Sequence, residues 1–228
     1  ALNVGGDFEM TMTRVAGVSS ATQEEFAALT EKAEKLGETL PITASQAAEA
    51  MYSLSSAGMS AKETLGAIDG VVGLSIAQNY DLAESANLMT ATIRGFGLEA
   101  DQAGRVADVF NNVISSSMMN MQKLNDAMSY VAPVAKSLGI SLEDTAAAMG
   151  KLADSGLRGE QIGTALRAIM LSLIDPTAEA AAELDKLGVT VTDVNGKLRP
   201  LDDIFQDLKA AGMDAAEAVR IFDKRSVA

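Results

Sequence analysis

The stretch Gly139-Ile140-Ser141-Leu142-Glu143-Asp144 decides the fold of this chain. Glycine takes the left-handed backbone conformation that ends a helix. Ser141 is a preferred N-cap, and the acid three residues later completes a capping box. The stretch therefore predicts that one helix ends at Gly139 and that another begins directly after Ser141.

The same pattern occurs three more times along the chain, at Gly58-Met59-Ser60-Ala61-Lys62-Glu63, Gly97-Leu98-Glu99-Ala100-Asp101-Gln102 and Gly212-Met213-Asp214-Ala215-Ala216-Glu217. The copy at Glu99 is the weakest, because glutamate is a poor N-cap. We therefore predict recurrent helix–helix joints. The structural positions in them are Gly58, Ser60, Glu63, Gly97, Gly139 and Ser141.

Apolar periodicity predicts helices between these joints. One stripe advances in steps of three and four residues through Met121, Leu124, Met128, Val131, Ala135 and Leu138. Pro133 lies inside this stripe, lacks a backbone N–H and crowds the preceding turn. We predict that the helix kinks or breaks near Val131 or Ala132.

Glycines inside predicted helices indicate a second kind of structural position. Gly66, Gly70 and Gly73 each lower helix stability by ~1 kcal/mol relative to alanine, so we expect a neighbouring backbone to approach them closely. The run from Gly156 to Thr164 also contains Gly159 and Gly163. It is not a phosphate-binding loop, because no strand precedes it and the Lys-Ser/Thr pair is missing. We predict a helix–helix turn there.

A longer self-similarity relates residues 42–74 to residues 140–172. The matched residues are Ile42/Ile140, Ala48/Ala146, Ala50/Ala148, Met51/Met149, Leu54/Leu152, Gly58/Gly156 and Ala67/Ala165. These matches predict a loose array of helical hairpins rather than a strict solenoid. Chance similarity between alanine-rich helices is the alternative interpretation.

Only one segment has β-type alternation. Two β-prone runs flank Asn195 and Gly196, the preferred pair for a type I′ turn, and predict a short β-hairpin over residues 189–199. The predicted fold class is all-α, a compact multi-helix array of helical hairpins with this one hairpin. We expect residues 1–228 to form a single helical domain, with sub-units 1–98 and 99–228 as the alternative.

The two ends of the sequence lead to a separate expectation. The chain begins at Ala1 rather than Met, and no helix stop signal closes its last residues. We expect it to be a fragment of a longer chain.

Composition limits the possible functions. The net charge is −13, from 31 acidic and 18 basic residues, so we expect no direct binding of nucleic acid. The chain has no His and no Cys, which removes the commonest general base and metal ligands. No apolar run approaches the ~18 residues that span a bilayer. We expect no metal, no cofactor and no membrane span.

Carboxylate pairs occur at predicted helix starts, where acids favour the helix dipole. They are Asp81/Glu84, Glu143/Asp144 and Asp202/Asp203. A glycosidase would also need aromatic side chains around two facing acids, and this chain has no Trp and only 4% aromatic residues. We expect no catalytic residue. Met118, Met119 and Met121 are core residues in the default interpretation and a partner-binding patch in the alternative.

Several further blocks resemble one known family in order along nearly the whole chain. The most specific of them runs from Leu152 to Arg167 and is followed by Asn195-Gly196-Lys197-Leu198-Arg199-Pro200-Leu201. The earlier ones include Ala47–Met51 and Tyr130–Ala135. Together they resemble the core region of the TP901-type phage tail tape measure proteins.

The resemblance implies a structural protein of the virion tail that sets tail length during tail assembly and leaves the tube during DNA ejection, in a phage or a prophage. It implies as partners the tail tube, the tail-tip or baseplate hub and the tail assembly chaperones, with several copies of the chain in one tail. The expected location is the tail lumen, and the host cytoplasm during assembly. It implies no catalytic residue in this region.

Two other functions remain open at this point. A carboxylate-dependent peptidoglycan hydrolase of the tail would be revealed by a zymogram, and a membrane-active ejection module by leakage of liposomes. The net charge of −13 and the short apolar runs argue against the membrane-active module.

Overall fold

The computed structural model describes residues 2–222, and their side chains from residue 6 onward. This part of the chain forms twelve α-helices and one 3₁₀ turn, and it contains no β-strand. The all-α prediction is therefore confirmed. The helices are α1 (Leu2–Ser19), α2 (Gln23–Thr39), α3 (Ala44–Ser56), α4 (Ala61–Gln78), α5 (Leu82–Phe96), α6 (Ala103–Ser116), α7 (Met121–Leu138), α8 (Leu142–Asp154), α9 (Gly159–Ile174), α10 (Ala178–Leu187), α11 (Leu201–Ala210) and α12 (Ala215–Phe222), with the 3₁₀ turn at Ala100–Gln102.

The chain divides into two compact units, the first ending at Asn111 and the second beginning at Asn112. In the first unit α3 lies at the centre and packs against α1, α2, α4 and α5. In the second unit α9 packs against α7, α8 and α12, while α10 packs on α12 and α11 on α8. Each unit therefore has its own set of helices that pack against one another.

Small and flexible side chains fill both interiors. Met51, Leu54 and Ala47 are fully buried in α3, and Met149 and Leu166 are fully buried in the second unit. Alanine lets helix axes approach closely, and methionine fills the irregular gaps that remain. Of the three neighbouring methionines, Met119 and Met121 are core residues, whereas Met118 is 65% exposed.

Six of the twelve described helices end in the same backbone motif. At Gly139 the glycine N–H donates to the carbonyl of Lys136 at 3.1 Å, and the N–H of Ile140 donates to that of Ala135 at 2.9 Å. This pair of bonds is the Schellman motif, which requires a left-handed residue. It recurs at Gly58, Gly97, Gly188 and Gly212, all with positive φ, and at Asn79, where φ is 47°.

Side chains cap the helices that follow. Ser60 Oγ accepts the N–H of Glu63 at 3.3 Å, and Glu63 Oε2 accepts the N–H of Ser60 at 2.8 Å. The latter hydrogen bond lowers the pKa of Glu63. Ser141 Oγ accepts the N–H of Asp144 at 3.0 Å. Glu99 makes no side-chain cap bond, and the chain forms the 3₁₀ turn there instead of starting an α-helix.

The predicted β-hairpin at residues 189–199 is wrong. The segment contains one isolated antiparallel bridge, between Thr192 and Leu198. A type I′ turn needs positive φ at both central residues, and only Gly196 has it, with φ of 76°. The Asp193 carboxylate accepts the N–H groups of Asn195 and Lys197 at 2.8 and 2.9 Å, and it fixes a different turn.

The predicted break near Val131 or Ala132 is also wrong, because α7 continues as one helix from Met121 to Leu138 with Pro133 inside it. The alternative, a kink there, stays a prediction. Pro133 lies on the exposed face of α7, where a carbonyl that loses its helical donor can bind water. Val131, Ala132 and Ala135 are buried on the other face, and their packing favours the helical conformation on both sides of Pro133.

We predict that two glycine-to-alanine changes have opposite effects. Gly58 has φ of 90° and open space around it, so Gly58→Ala should destabilise the fold by about 1–2 kcal/mol through backbone strain alone. Gly73 is helical and also has open space, so Gly73→Ala should stabilise it by about 0.5–1 kcal/mol. Urea unfolding of both variants measures the difference, and equal signs would contradict the assignment of the joint.

Candidate functional site

The pairing of α7 with α9 is the most extensive helix contact in the described chain. Two glycines on α9 make it possible. A Cβ atom at Gly163 would lie 2.8 Å from the carbonyl oxygen of Ala127, and one at Gly159 would lie 2.9 Å from Cα of Lys123. Because backbone atoms cannot move aside cheaply, only glycine fits at these two positions. The close pairing of α7 with α9 therefore depends directly on these two glycines.

Glycines of α4 have the corresponding role in the first unit. A Cβ at Gly70 would lie 2.5 Å from the carbonyl oxygen of Ala103, and one at Gly66 would lie 3.3 Å from the nitrogen of Asp101. The predicted close approach is confirmed at these two residues. It is wrong at Gly73, which is exposed and where a Cβ would meet no neighbouring atom within 4 Å.

The glycine-rich run joins α8 to α9. Gly156 has φ of 85°, and its N–H donates to the carbonyl of Ala153 at 2.9 Å. The N–H of Arg158 donates to Gln161 Oε1 at 3.0 Å, which satisfies an N-terminal donor of α9. The run is therefore a helix–helix turn, as predicted, and the N–H groups of Gly156 and Arg158 are used within the fold.

Four charged side chains link α10 to α12. Arg220 donates to Glu183 Oε2 through Nε at 2.9 Å and through a terminal nitrogen at 2.6 Å, and Lys186 donates to Glu217 Oε1 at 2.7 Å. The Lys186 ammonium, followed by the N–H of Asp214, lowers the pKa of Glu217. Glu183 raises the pKa of Arg220. These contacts hold α12, the last helix of the described chain, against α10.

The sequence did not reveal this charged cluster, because its members lie more than 30 residues apart in two pairs. The local signals are the i,i+3 spacing of Glu183 and Lys186, which lie 3.5 Å apart, and the capping box of α12, in which Glu217 Oε2 accepts the N–H of Asp214 at 2.9 Å. The contact between the Arg14 guanidinium and the Tyr52 ring, 4.1 Å apart, was missed for the same reason.

The three carboxylate pairs lie at three different helix starts. Asp81 caps α5 with Glu84 in its first turn, and Glu143 with Asp144 occupies the first turn of α8. Asp202, with Asp203 in the first turn of α11, is held by Lys151 and by Gln206, and the Lys151 contact lowers the pKa of Asp202. Each pair therefore has a structural role that accounts for its position.

Neither a group of metal ligands nor a membrane-spanning helix is found among the described residues. Among them, no three acidic side chains are grouped so that they could hold a metal ion. An apolar cavity of about 230 Å³ in the second unit is lined mainly by aliphatic residues with Phe205 and Phe222. In residues 2–222 no helix combines the length and apolarity needed to cross a membrane.

Comparison with known proteins identifies the class. The sequence profile described as "Phage-related minor tail protein" matches residues 30–224. The chain belongs to this family. The match covers both units, including the joints at Gly58, Gly97 and Gly139 and the close pair of α7 and α9.

Two curated relatives are more specific. The tape measure protein of Pneumococcus phage Dp-1 is 39% identical over 211 residues, which cover 92% of this chain and 18% of the relative. The probable tape measure protein of Escherichia phage P2 is 32% identical over 187 residues, which cover 82% of this chain and 23% of the relative. The chain thus spans about a fifth of the length of these relatives. No solved structure matches it.

We predict that Gly163→Ala destabilises the second unit by about 1–3 kcal/mol, because the added methyl group overlaps the Ala127 backbone. The matched control is Gly104→Ala, which adds the same group to α6, where nothing lies within 4 Å. Urea unfolding followed by circular dichroism provides both values. A Gly163→Ala variant as stable as the control would show that α7 and α9 are not in close contact.

We predict a pH dependence for Glu217→Gln. The folded pKa of Glu217 lies below its ordinary value, so its charge stabilises the fold fully at neutral pH. That contribution is lost as the pH falls below about 4.3 and through the folded pKa. The variant should melt below the wild type at pH 7, and the gap should shrink towards pH 3. A gap that stays constant in thermal melts would contradict the charged link to Lys186.

Proposed function

We propose that this chain is a folded structural segment of a phage tape measure protein. The observation that supports this most directly is the 39% identity to the Dp-1 tape measure protein over 92% of the chain. The relative from phage P2 is named a probable tape measure protein. On this proposal, the complete protein sets tail length during assembly and leaves the tube during DNA ejection.

The segment acts through its helix faces rather than through a reaction centre. The carboxylate pairs are used as helix caps and ion pairs, and Glu183 and Glu217 are engaged by Arg220 and Lys186. A hydrolase needs acids that face one another across a cleft that admits the substrate. We therefore propose a structural role without catalysis, and no feature of the described residues favours the hydrolase or the membrane-active module.

The proposed shape of the segment follows from its joints. A continuous α-helix of this length would extend about 340 Å, at ~1.5 Å per residue. The described chain instead reverses direction at left-handed residues such as Gly58 and Gly139, and it forms two compact units. We propose that each of these two units is a globular part of the tape measure protein, and that the extended ruler lies elsewhere in it.

The proposed location is the tail lumen, after assembly in the host cytoplasm. The proposed partners are the tail tube, the tail-tip or baseplate hub and the tail assembly chaperones, with several copies of the chain in each tail. The net charge of −13 suits transport through a tube that also conducts DNA, because like charges keep the segment from binding it.

We predict that removing residues 23–78 in frame from the phage gene impairs tail assembly without shortening the remaining tails in proportion. The segment is folded, so its residues do not add to the ruler at ~1.5 Å each. Electron microscopy measures tail length, and mass spectrometry of purified tails tests for peptides of this chain. The matched control is Gly73→Ala, which should give normal tails.

Two results would contradict the proposal. Tails shortened by about 84 Å, the helical length of the deleted residues, would show that the segment is part of the extended ruler. Absence of its peptides from purified wild-type tails would show that it is not a virion structural protein.

A further inference from the structure

Three consecutive helices in the second unit repeat the spacing of three helices in the first. Helices α7, α8 and α9 begin at Met121, Leu142 and Gly159, and each start lies 98 residues after the start of α2, α3 or α4. The middle helices, α3 and α8, both have 13 residues. The two connections between helices are therefore equal in length or differ by a single residue.

The joints agree in conformation as well as in spacing. Gly58 and Gly156, at equivalent positions, have φ of 90° and 85°. At the following helix start, the N–H of Ser60 donates to Glu63 at 2.8 Å, and the N–H of Arg158 donates to Gln161 at 3.0 Å. In both copies, the N–H of the residue before the helix thus donates to the side chain of the residue three positions later.

The buried faces also coincide. Five equivalent pairs are buried in both middle helices: Ala47/Thr145, Ala48/Ala146, Ala50/Ala148, Met51/Met149 and Ser55/Ala153. Apart from Gly58 and Gly156 at the joint, equivalents that are exposed in both copies differ, and some reverse their charge, as Lys62 and Glu160 or Asp69 and Arg167 do. Chance similarity of alanine-rich helices would not restrict the agreement to the packed face.

The three helices pack on one another in the same combinations. In the first unit α2, α3 and α4 contact each other pairwise, and so do α7, α8 and α9 in the second. The preceding helix meets the same site on the middle helix in both units. Arg14 of α1 contacts Tyr52, and Val113 of α6 lies against Gly150, which is the equivalent of Tyr52.

We infer that residues 23–78 and 121–174 are two tandem copies of one three-helix module, related by a shift of 98 residues. The copies differ where the outer helices meet. The second copy has Gly159 and Gly163, and the first has Ala61 and Leu65 at the equivalent positions. The close pairing of α7 with α9 is therefore a specialisation of the second copy, and in the first copy α4 contacts α2 much less extensively.

The test is a transplant within the full chain. Residues 44–56 replace residues 142–154, with glycine kept at position 150 because a Cβ there would lie 2.8 Å from Val113 Cγ2. The control has the same thirteen residues. Gly150 stays in place, and the order of the other twelve residues is shifted cyclically by two positions along the helix. Composition is then identical, and only the register of the buried face changes.

If the modules are equivalent, the transplant keeps the wild-type helical content and unfolds in one cooperative transition, with a Tm within about 10 °C of the wild type. The rotated control should melt well below the transplant or lose the transition. A transplant that melts no higher than the rotated control overturns the inference, since the positions of the buried residues would then have no effect on stability.

Discussion

Every α-helix leaves its last carbonyl groups without donors inside the helix, and a chain of many short helices must satisfy them again and again. Here the task is performed by a left-handed residue that directs two N–H groups back onto those carbonyls, at Gly139 and at four other glycines. The same residue sets the direction in which the chain leaves the helix. Helix ends, chain reversal and the burial of the following apolar residue therefore depend on one backbone conformation.

The joints alone do not determine how closely helices pack. That distance depends on which residues lie where two helices cross, and Gly159 and Gly163 bring α9 onto the backbone of α7. Gly70 does the same for α4 against Ala103. A core with few aromatic side chains and many alanines makes such contacts favourable, because dispersion between closely packed backbones replaces the area that large side chains would bury.

Local signals explain what the sequence predicted and what it did not. Caps and Schellman ends involve residues within five positions of each other, so Ser60, Glu63 and Gly97 could be interpreted without tertiary structure. The hairpin prediction was wrong because the Asp193 carboxylate, not the Asn-Gly pair, determines the turn. The helix α7 continues through Pro133 because tertiary packing holds its buried face. The ion pairs between α10 and α12 join residues distant in sequence, and nothing in their spacing indicates them.

The proposed structural role in a tail agrees with these features of the segment. Its helices are short and end at defined joints, and many of its buried residues are alanine or methionine. Such helices are stable because they pack together, not because each is stable alone. In the proposed function, a core of small and flexible side chains suits a segment that leaves a narrow tube, and a rigid core of large aromatic residues would oppose that exit.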